Sequence, residues 1–543
     1  MMGALDQRVK LGRSLSCGAR ARAPSPLGGA IVGPTVTTRD GRIEGVERDG
    51  VHVFRGIPYA RAPVGPLRWR APRPPQAWTG VRDATKAGFA APQVPGATER
   101  IMPGPALETD EDCLTLNVWT PSTPAPPRPV MVWIHGGGFL TGAGSLPIYN
   151  GRFLAGGGDV VVVTVNYRLG ALGFLAHPVL RDPESGAAGN WGLLDQIAAL
   201  TWVRDNVEAF GGDPGKVTVF GESAGAMSVG TLMGTPAAAG LFLRAIMQSG
   251  SPAALPMDEA GPTAESVLHA AGCDVLEPER ARALPLGALL EAQEGLWARR
   301  GMAQGLPLQP VVDGAVLERH PSEAIAAGLS AGVATISGTN RDEWEMFAMA
   351  DPGAARLDDE HLQRRLSALL AAGNGRLGAE VGEVLRTYTG ARAGRGQPVT
   401  PRDLWVAVQS DLVFRLPAIR LAEAQARVGA PVHAYLFTWE SPAFGGALRS
   451  CHALEIPFVW GTHVYPGIST FTGAGPEVDA LAARMQQAWL SFARTGEPAD
   501  GVTGAWPRYD AGRRATVVLG PGGTVEEAPL DEERRAWTAA AVA

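Results

Sequence analysis

Cysteine is scarce in this chain: only Cys17, Cys113, Cys273 and Cys451 occur among 543 residues. They are too few and too widely spaced to stabilise a fold through several disulfides, and none has the short spacing at which cysteines bind zinc. The sequence therefore argues against a disulfide framework and a structural zinc site. Reduced thiols fit a cytoplasmic protein best, so we expect a cytoplasmic location.

Long apolar runs and clusters of positive charge are also missing. No apolar stretch approaches the ~20 residues that a membrane-spanning helix needs, so we expect no membrane span. Lysine occurs only at positions 10, 86 and 216, no run of basic residues is long enough to bind a polyanion, and the net charge is −6. We therefore expect no nucleic-acid partner.

The first residues, 1–31, contain several arginines but lack the continuous apolar segment of a secretory signal. No clear signal peptide is present, although the pattern leaves secretion open. We expect residues 1–31 to form a disordered N-terminal extension, or to precede the native start of the protein.

What the chain does contain is material for a large α/β core. Its composition is ordinary for a globular protein, with 45% hydrophobic and 19% charged residues. β-branched runs such as 160–167 alternate with helical patterns such as 193–210. This alternation predicts a mostly parallel sheet covered by helices on both faces.

The order of these patterns predicts a single domain over 32–543. Helix-rich insertions are expected around 259–306 and 352–427, above the carboxyl ends of the strands, where α/β sheets place their binding crevices. Near the start, the alternating runs 35–38 and 50–54 are separated by Asp-Gly turns, which predicts an opening hairpin.

A serine stands at a strand-to-helix reversal in Gly221-Glu222-Ser223-Ala224-Gly225. Glycine two positions away on each side is the pattern of a nucleophile elbow, a turn so tight that larger side chains would collide with the backbone. The turn exposes the hydroxyl of Ser223. Alone, the pattern is weak, because such short strings occur by chance.

A glycine run after the predicted strand 129–134 supplies candidate hydrogen-bond donors. In His135-Gly136-Gly137-Gly138-Phe139, the missing side chains let successive amides turn toward one point. With the amide of Ala224, those of Gly137 and Gly138 would form a three-donor oxyanion hole, each donor contributing about 3 kcal/mol to a transition state. A flexible turn is the alternative interpretation of the glycines.

An activated serine also needs a base, and a carboxylate to orient the base. Asp342 and Glu343 follow the predicted strand 333–338, and the residues alone do not choose between them. Of nine histidines, His452 lies far downstream of this pair, which gives the chain order serine, acid, histidine. The run 454–460 after it predicts an apolar wall that excludes water.

Further motifs stand in a fixed order along the chain. They are the segment 54–60, Pro63-Val64-Gly65, Arg68, Glu111-Asp112-Cys113-Leu114, HGGGF at 135–139, Asn166-Tyr167-Arg168, 192–196, 210–214, GESAGA at 221–226, Gln248-Ser249-Gly250-Ser251, the Asp342-Glu343 loop and His452. Together they resemble the type B carboxylesterase family of cholinesterases and bacterial para-nitrobenzyl esterases. The similarity extends from about Thr35 to Tyr509, and the segment 452–458 is most similar to the para-nitrobenzyl esterase branch.

The resemblance implies an α/β-hydrolase fold and a serine carboxylesterase that forms an acyl-enzyme. The site residues that it implies are the nucleophile Ser223, the acid Glu343, the base His452 and the oxyanion-hole residues Gly137, Gly138 and Ala224. Glu222 would support the positive charge on His452, and Ser249 would brace Glu343. The expected partner is a small-molecule ester, with no metal or other cofactor, and the expected assembly is a monomer or weak homo-oligomer.

The resemblance also implies a buried ion pair between Arg68 and Glu111. It matches Cys113 to one half of a disulfide found in secreted relatives, but the partner position, near Ala91, holds alanine. No such bridge can form, which agrees with a reducing compartment.

Two kinds of alternative stay open at this point. A catalytically silent interaction protein could share the fold, since fold does not fix function, and an esterase with an aspartate in its triad is a second rival. The same chemistry could also serve a carbamate, a lactone or another specialised ester. Trp297, Trp344, Phe347 and Phe444 are candidate pocket liners, with ordinary core packing as the alternative for each.

Overall fold

A mostly parallel β-sheet runs through the centre of the protein. The computed structural model describes residues 33–95, 106–123, 126–273, 277–300, 305–372 and 380–537. The strands within these residues are β1 Thr35–Thr37, β2 Arg42–Glu44, β3 Val46–Arg48, β4 Val51–Pro58, β5 Val81–Asp83, β6 Thr115–Thr120, β7 Arg128–Ile134, β8 Val161–Val165, β9 Gly212–Glu222, β10 Arg244–Gln248, β11 Leu255–Pro256, β12 Val311–Val312, β13 Ala334–Asn340, β14 Val432–Phe437, β15 Ala499–Asp500, β16 Gly504–Ala505, β17 Ala515–Leu519 and β18 Thr524–Glu527.

In the described part of the chain, the main sheet has eleven strands in the order β18-β17-β14-β13-β10-β9-β7-β8-β6-β4-β3. The strands from β17 to β8 in this order are parallel to one another. Antiparallel strands extend the sheet at both edges.

Alternate side chains of the central strands enter two separate cores. In β8, Val161, Val163 and Val165 pack into one hydrophobic cluster, whereas Val162 packs into the cluster on the opposite face. A strand buried on both faces needs apolar residues at every position, which explains the unbroken β-branched run. The predicted α/β class, with a mostly parallel sheet flanked by helices, is confirmed.

Helices cover both faces of the sheet. In the described residues the α-helices are Arg152–Gly158, Gly170–Phe174, Trp191–Asn206, Ala224–Met233, Met257–Ala270, Pro278–Arg282, Leu286–Arg300, Pro321–Ala326, Glu345–Met349, Asp359–Ala372, Val381–Gly394, Pro401–Ser410, Leu416–Arg427, Ile456–Trp460, Ile468–Thr472, Pro476–Thr495 and Asp531–Ala536. Apolar residues of Trp191–Asn206 and Ala224–Met233 belong to one core, and those of Pro476–Thr495 belong to the other.

The predicted opening hairpin between 35–38 and 50–54 is wrong. β1 pairs antiparallel with β2, and β4 pairs antiparallel with β3, so the segment forms two hairpins. Asp49 and Gly50 both have positive φ, 52° and 75°, and close the second hairpin as an Asp-Gly turn does. The intervening strands β2 and β3 have three residues each. Only Gly45 separates them, so the segment between the two predicted strands itself contains one pairing partner for each.

The second helix-rich stretch does not form one block. Its last helix, Leu416–Arg427, packs on β13 and β14. Leu421 of this helix is buried in the core on that face of the sheet. This helix therefore belongs to the layer that covers the sheet.

The described residues from Pro34 onward belong to one compact unit. The predicted extension 1–31 lies outside the described residues and stays a prediction. Within the described part of the chain, no helix is long and apolar enough to cross a membrane. The same residues contain no group of three or more His, Cys, Asp or Glu side chains that could hold a metal ion.

Arg68 and Glu111 form an ion pair, as the resemblance implies. Arg68 Nε donates to Glu111 Oε2 at 2.8 Å, and Nη2 donates to the other carboxylate oxygen. Arg68 Nη1 donates to the carbonyl oxygens of Arg282 and Leu284, at 3.0 and 2.6 Å. Cys113, two residues after Glu111, is a buried free thiol.

Candidate active site

The parallel strands bring the candidate residues to one edge of the sheet. The register of the strands sets Ile134 beside Gly221, and Gln248 beside both Glu222 and Gly338. The segments that follow these strand ends are the glycine run, the elbow and the acidic loop. They therefore meet at the carboxyl edge of the sheet.

Ser223 lies in a strained turn between β9 and the helix Ala224–Met233. Its φ is 56° and its ψ is −125°, a conformation that typically costs about 1–3 kcal/mol for a residue with a side chain. A Cβ on Gly221 would lie 2.5 Å from the carbonyl carbon of Gly225. A Cβ on Gly225 would overlap the carbonyl oxygen of Ile134. Only glycine fits at these two positions, so the pattern around Ser223 has the steric cause that the sequence predicts.

The glycine run lies alongside this turn. A Cβ on Gly136 would lie 3.1 Å from the Cβ of Ser223. Gly137 and Gly138 have φ values of 104° and 63°, which side chains would disfavour. Among the described residues, the amides of Gly137, Gly138 and Ala224 have no backbone acceptor. Three unpaired N–H donors thus lie in the two segments that flank Ser223.

His452 is held on one side by Glu343. The Nδ1 atom lies 2.6 Å from Glu343 Oε2. The other carboxylate oxygen accepts the backbone amide of Asn340 at 2.7 Å. Since an ionised carboxylate only accepts hydrogen bonds, Nδ1 carries the proton in this contact. Glu343 is 0% exposed and His452 5%, so water does not compete for it.

The neighbouring carboxylate, Asp342, is used elsewhere. Its Oδ2 accepts Arg341 Nε at 2.9 Å and the backbone amide of Ser450 at 3.3 Å. The structure thus places Glu343 on His452 and directs Asp342 to an arginine. The two side chains meet different partners, which the sequence does not indicate. The sequence alone therefore left the choice between Asp342 and Glu343 as the acid open.

Glu222 lies on the other side of the imidazole. Its Oε1 is 3.1 Å from His452 Nε2. The oxygen nevertheless accepts no directed hydrogen bond from the described residues, so the two groups interact by proximity and electrostatics, without a hydrogen bond. Burial raises the pKa of Glu222 to about 8, an effect that His452 opposes and Glu455 and Glu343 strengthen.

The two carboxylates also change the acidity of the imidazole. Burial lowers the pKa of His452, but Glu222 and Glu343 outweigh burial and raise the pKa to about 9. The site is therefore built to stabilise a protonated imidazole. No hydrogen bond joins the Ser223 hydroxyl to His452 among the described residues, and such contacts are often long in unliganded enzymes.

Glu455 is a third buried carboxylate near His452, and the sequence analysis missed it. Within the predicted apolar wall 454–460 it is 0% exposed, and it accepts Gln248 Nε2 at 3.0 Å and Asn340 Nδ2 at 2.7 Å. Burial and the charge of Glu343 raise its pKa. The predicted apolar wall therefore contains one buried carboxylate. The available signal was a lone charged residue inside an apolar run.

Ser249 does not brace Glu343 by a hydrogen bond. Its Oγ is buried and has no hydrogen-bond partner in the described part of the chain. The residue has a φ of 55°, and its amide donates to the carbonyl of Gly338 at 2.8 Å. Its visible contribution is the backbone link between the ends of β10 and β13.

Aromatic rings pack on the imidazole. The ring centroids of Phe414 and Phe347 lie 4.7 and 5.2 Å from that of His452. Trp344 is buried behind Phe347, at 4.8 Å. Phe444 is 60% exposed, and no ring contact ties Trp297 to this group among the described residues.

Phe414 was not among the predicted liners of the pocket. It lies on a π-helical turn, Asp411–Arg415, that precedes Pro417. π-turns inside helices often mark functional sites, but their position is hard to read from sequence. A proline one residue into the next helix was the available signal.

The chain is similar to known proteins over nearly its whole length. The sequence profile described as the carboxylesterase family matches residues 32–537. The para-nitrobenzyl esterase of Bacillus subtilis (strain 168) is 40% identical over 507 residues, which cover 92% of this chain and 97% of that protein. The phenmedipham hydrolase of Pseudarthrobacter oxydans is 38% identical over 506 residues, 91% of this chain and 96% of that protein.

A solved carboxylesterase structure is also similar to this protein in three dimensions. The crystal structure of a carboxylesterase from Geobacillus stearothermophilus aligns with a TM-score of 0.81 at 41% identity, and covers 93% of this chain and 99% of that chain. The fold and these relatives define a serine hydrolase of carboxylic esters with an α/β-hydrolase fold. Within that class, the chain belongs to the carboxylesterase family.

Proposed function

We propose that Ser223 is the nucleophile, His452 the general base and Glu343 the acid of the catalytic triad. The observation that carries the proposal is the 2.6 Å contact between His452 Nδ1 and Glu343 Oε2, beside the strained turn at Ser223. This contact fixes the tautomer in which Nε2 is free to accept a proton. Asp342, engaged by Arg341, is a weaker candidate for the acid.

In the proposed reaction, His452 Nε2 takes the hydroxyl proton as Ser223 Oγ attacks the ester carbonyl carbon. The carbonyl oxygen becomes an oxyanion and accepts hydrogen bonds from the amides of Gly137, Gly138 and Ala224. Each such donor is worth about 3 kcal/mol in comparable enzymes. Their lack of backbone acceptors supports this role, because preorganised donors need no rearrangement when the charge develops.

The tetrahedral intermediate then collapses. His452 protonates the leaving alkoxide, and the acyl group stays on Ser223 as an ester. Water, deprotonated by His452, attacks the acyl-enzyme; the ester bond to Ser223 then breaks, His452 returns the proton to Ser223 Oγ, and the carboxylic acid is released. Glu343 and Glu222 stabilise the imidazolium in both halves, in accord with the raised pKa of His452. Residues of this chain fill every role, so the reaction calls for no cofactor.

We infer that the substrates are small carboxylic esters of the kind that a para-nitrobenzyl esterase hydrolyses. The identity to the Bacillus subtilis para-nitrobenzyl esterase supports this class. The aromatic rings of Phe414 and Phe347 on His452 supply an apolar wall for an acyl or alcohol group. The physiological ester and its stereochemistry depend on the insertions that complete the pocket.

The test is a panel of nitrophenyl esters of increasing acyl length, measured with wild type and Ser223→Ala. We expect hydrolysis by wild type with a maximum at one chain length. In Ser223→Ala, kcat should fall by a factor of at least about 10³, because the nucleophile is gone while the donors stay. Activity in Ser223→Ala close to that of wild type would remove Ser223 from the mechanism.

We also propose that the protein acts in the cytoplasm, as a monomer or weak homo-oligomer. Cys113 and Cys451 are buried free thiols within the described residues, which supports a reducing compartment. Thiol titration of unfolded protein and light scattering over a range of concentrations test the two statements. A disulfide, or a stable oligomer at low concentration, would contradict them.

A further inference from the structure

A partly buried network of ion pairs lies beside the acid loop and has no part in the proposed reaction. Glu345 is 0% exposed and faces two arginines. Arg402 Nη2 lies 2.7 Å from its Oε2, and Arg449 Nη1 lies 3.1 Å from its Oε1. The other terminal nitrogen of Arg449, Nη2, donates to Asp403 Oδ1 at 2.6 Å. Two cations and two anions thus form one continuous chain.

Arg449 connects three separate elements through this chain. Glu345 begins the helix Glu345–Met349, two residues after Glu343. Asp403 belongs to the first turn of the helix Pro401–Ser410, where it completes a capping box with Thr400. Arg449 itself lies three residues before His452. Its guanidinium therefore joins the loop of the base to the loop of the acid and to an insertion helix.

The remaining contacts between the acid and base loops are few. The amide of Asp342 donates to the carbonyl of Ser450 at 2.9 Å, and the Nδ2 of Asn340 donates to the carbonyl of Cys451 at 2.7 Å. The amide of His452 reaches the carbonyl of Glu343 only at 3.3 Å. The amide of Ser450 also donates to Asp342 Oδ2 at 3.3 Å, and the imidazole contacts Glu343 at 2.6 Å. Among the described residues, only Arg449 ties the base loop to Pro401–Ser410 by a side-chain ion pair.

The backbone at Arg449 is also strained, with a φ of 47°. A non-glycine residue in this region persists only where its surroundings hold it. The amide of Arg449 donates to the carbonyl of Gly446 at 3.1 Å and its carbonyl accepts the amide of Ser441 at 2.9 Å. The guanidinium adds ion pairs with two separate carboxylates, Glu345 and Asp403. A lysine could place one charge there but could not bridge two carboxylates with a planar pair of nitrogens.

We propose that Arg449 is a positioning residue for His452. Its bridge from Glu345 to Asp403 fixes the loop that carries the imidazole, so that Nδ1 stays on Glu343 and Nε2 stays directed at the nucleophile. The inference rests on the proposed triad and adds a residue that none of the predicted motifs contains. Loss of the bridge lowers the rate of the chemical step, while substrate binding changes little.

The experiment compares Arg449→Met, Arg449→Lys and a matched control, Arg514→Met. Arg514 pairs with Glu423 at 2.8 Å, and its side chain is 21% exposed against 24% for Arg449, so both substitutions break a partly buried ion pair. The readouts are kcat, KM, Tm and the pH dependence of kcat/KM with a nitrophenyl ester. Wild type and Ser223→Ala are measured first, since an active Ser223→Ala would refute the triad and leave Arg449 without a base to position.

Arg449→Met should lower kcat about 10- to 100-fold, the loss expected when a catalytic group is displaced by about 1 Å, with KM within about twofold. The acidic limb of kcat/KM should move to lower pH, because His452 loses part of its contact with Glu343 while Glu222 and Glu455 stay in place. Arg449→Lys should restore part of kcat. Arg514→Met should lower Tm and leave kcat within about twofold of wild type.

Equal kcat losses in Arg449→Met and Arg514→Met would overturn the proposal, because they would show a general effect on stability. A kcat of Arg449→Met within about twofold of wild type, or an unmoved acidic limb, would also overturn it. If Arg449→Met does not fold, Arg449→Lys decides alone: the proposal then requires a lower kcat at unchanged KM, and full activity refutes it.

Discussion

The two sides of the His452 imidazole are built differently. On the Nδ1 side, Glu343 makes a directed contact of 2.6 Å, and its second oxygen is held by the amide of Asn340. On the Nε2 side, Glu222 lies at 3.1 Å without a directed hydrogen bond, and its Oε1 has no other partner in the described residues. A hydrogen bond therefore holds the Nδ1 side of the imidazole, whereas the Nε2 side has only a close contact.

This difference separates two tasks that a general base must perform. The base needs a constant orientation, which the Nδ1 side supplies, and it must exchange a proton, which happens at Nε2. A charge contact at Nε2 favours the protonated imidazole without holding the N–H in a competing hydrogen bond. The Nδ1 side should therefore control rate, and the Nε2 side should control the pH at which the rate is reached.

The largest expected effect comes from breaking the Nδ1 side. Glu343→Gln should lower kcat about 10³- to 10⁴-fold, because the amide neither fixes the tautomer nor stabilises the imidazolium. Asp342→Asn is the matched control, and its kcat should fall less than about fivefold, since Asp342 faces Arg341. Steady-state kinetics with a nitrophenyl ester measures both. A greater loss in Asp342→Asn would reverse the assignment of the acid.

A smaller effect, and a different one, is expected on the Nε2 side. His452 must be neutral to accept a proton, so kcat/KM falls as pH drops through its pKa, raised to about 9. Glu222→Gln removes a carboxylate that raises this pKa, so the acidic limb should move to lower pH, with kcat reduced about tenfold. The pH profile of kcat/KM is the measurement.

The acidic limb of the kcat/KM profile provides a second test of the role of Glu222. Glu222, with a pKa of about 8, and His452 titrate as a coupled pair, so the wild-type limb belongs to both groups. In Glu222→Gln, the acidic limb should become steeper, as expected when a single group titrates. A limb that stays at the wild-type pH would show that Glu222 does not act on His452.

Glu455 lies in a second layer of residues, behind the Nδ1 side of His452. Its replacement should therefore affect the stability of the protein more than kcat. Gln248 Nε2 and Asn340 Nδ2 both donate to it, and Gln248 is oriented because its own Oε1 accepts Trp489 Nε1 at 3.0 Å. Glu455→Gln would set an NH₂ group against one of these donors and should lower the free energy of unfolding by about 1–3 kcal/mol. Denaturant unfolding measures this, and a more stable variant would contradict it.

The smallest effect is expected at Ser249. Its hydroxyl has no hydrogen-bond partner in the described part of the chain, so Ser249→Ala removes no polar contact. Tm should change by less than about 2 °C and kcat by less than about twofold. A tenfold loss of kcat would restore the brace on Glu343 that the family resemblance implies.

Local patterns made part of this site predictable from the sequence. The glycines around Ser223 and in the run 136–138 follow from steric rules that act within a few residues, and the structure shows the same close approaches. The unbroken run of β8 required a strand buried on both faces, which gave the fold class. These features depend on near neighbours in the chain.

Other features depend on neighbours that are distant in sequence. Asp342 and Glu343 differ in what their side chains meet, Arg341 or His452, and no local rule states this. Glu455 lies in an apolar run, and its donors, Gln248 and Asn340, come from two other strands. The opening hairpins were mispredicted for a related reason, since the choice of pairing partner, β2 for β1 and β3 for β4, is not stated by the pattern of either strand.

The most direct test of the account is the rate at which Ser223 reacts with an organophosphate, with the modified residue located by peptide mass mapping. One equivalent should attach at Ser223 in wild type. The second-order rate constant should fall at least about 10²-fold in Glu343→Gln and stay within about fivefold in Asp342→Asn. Modification at another residue, or equal rates in wild type and Glu343→Gln, would contradict the proposed triad.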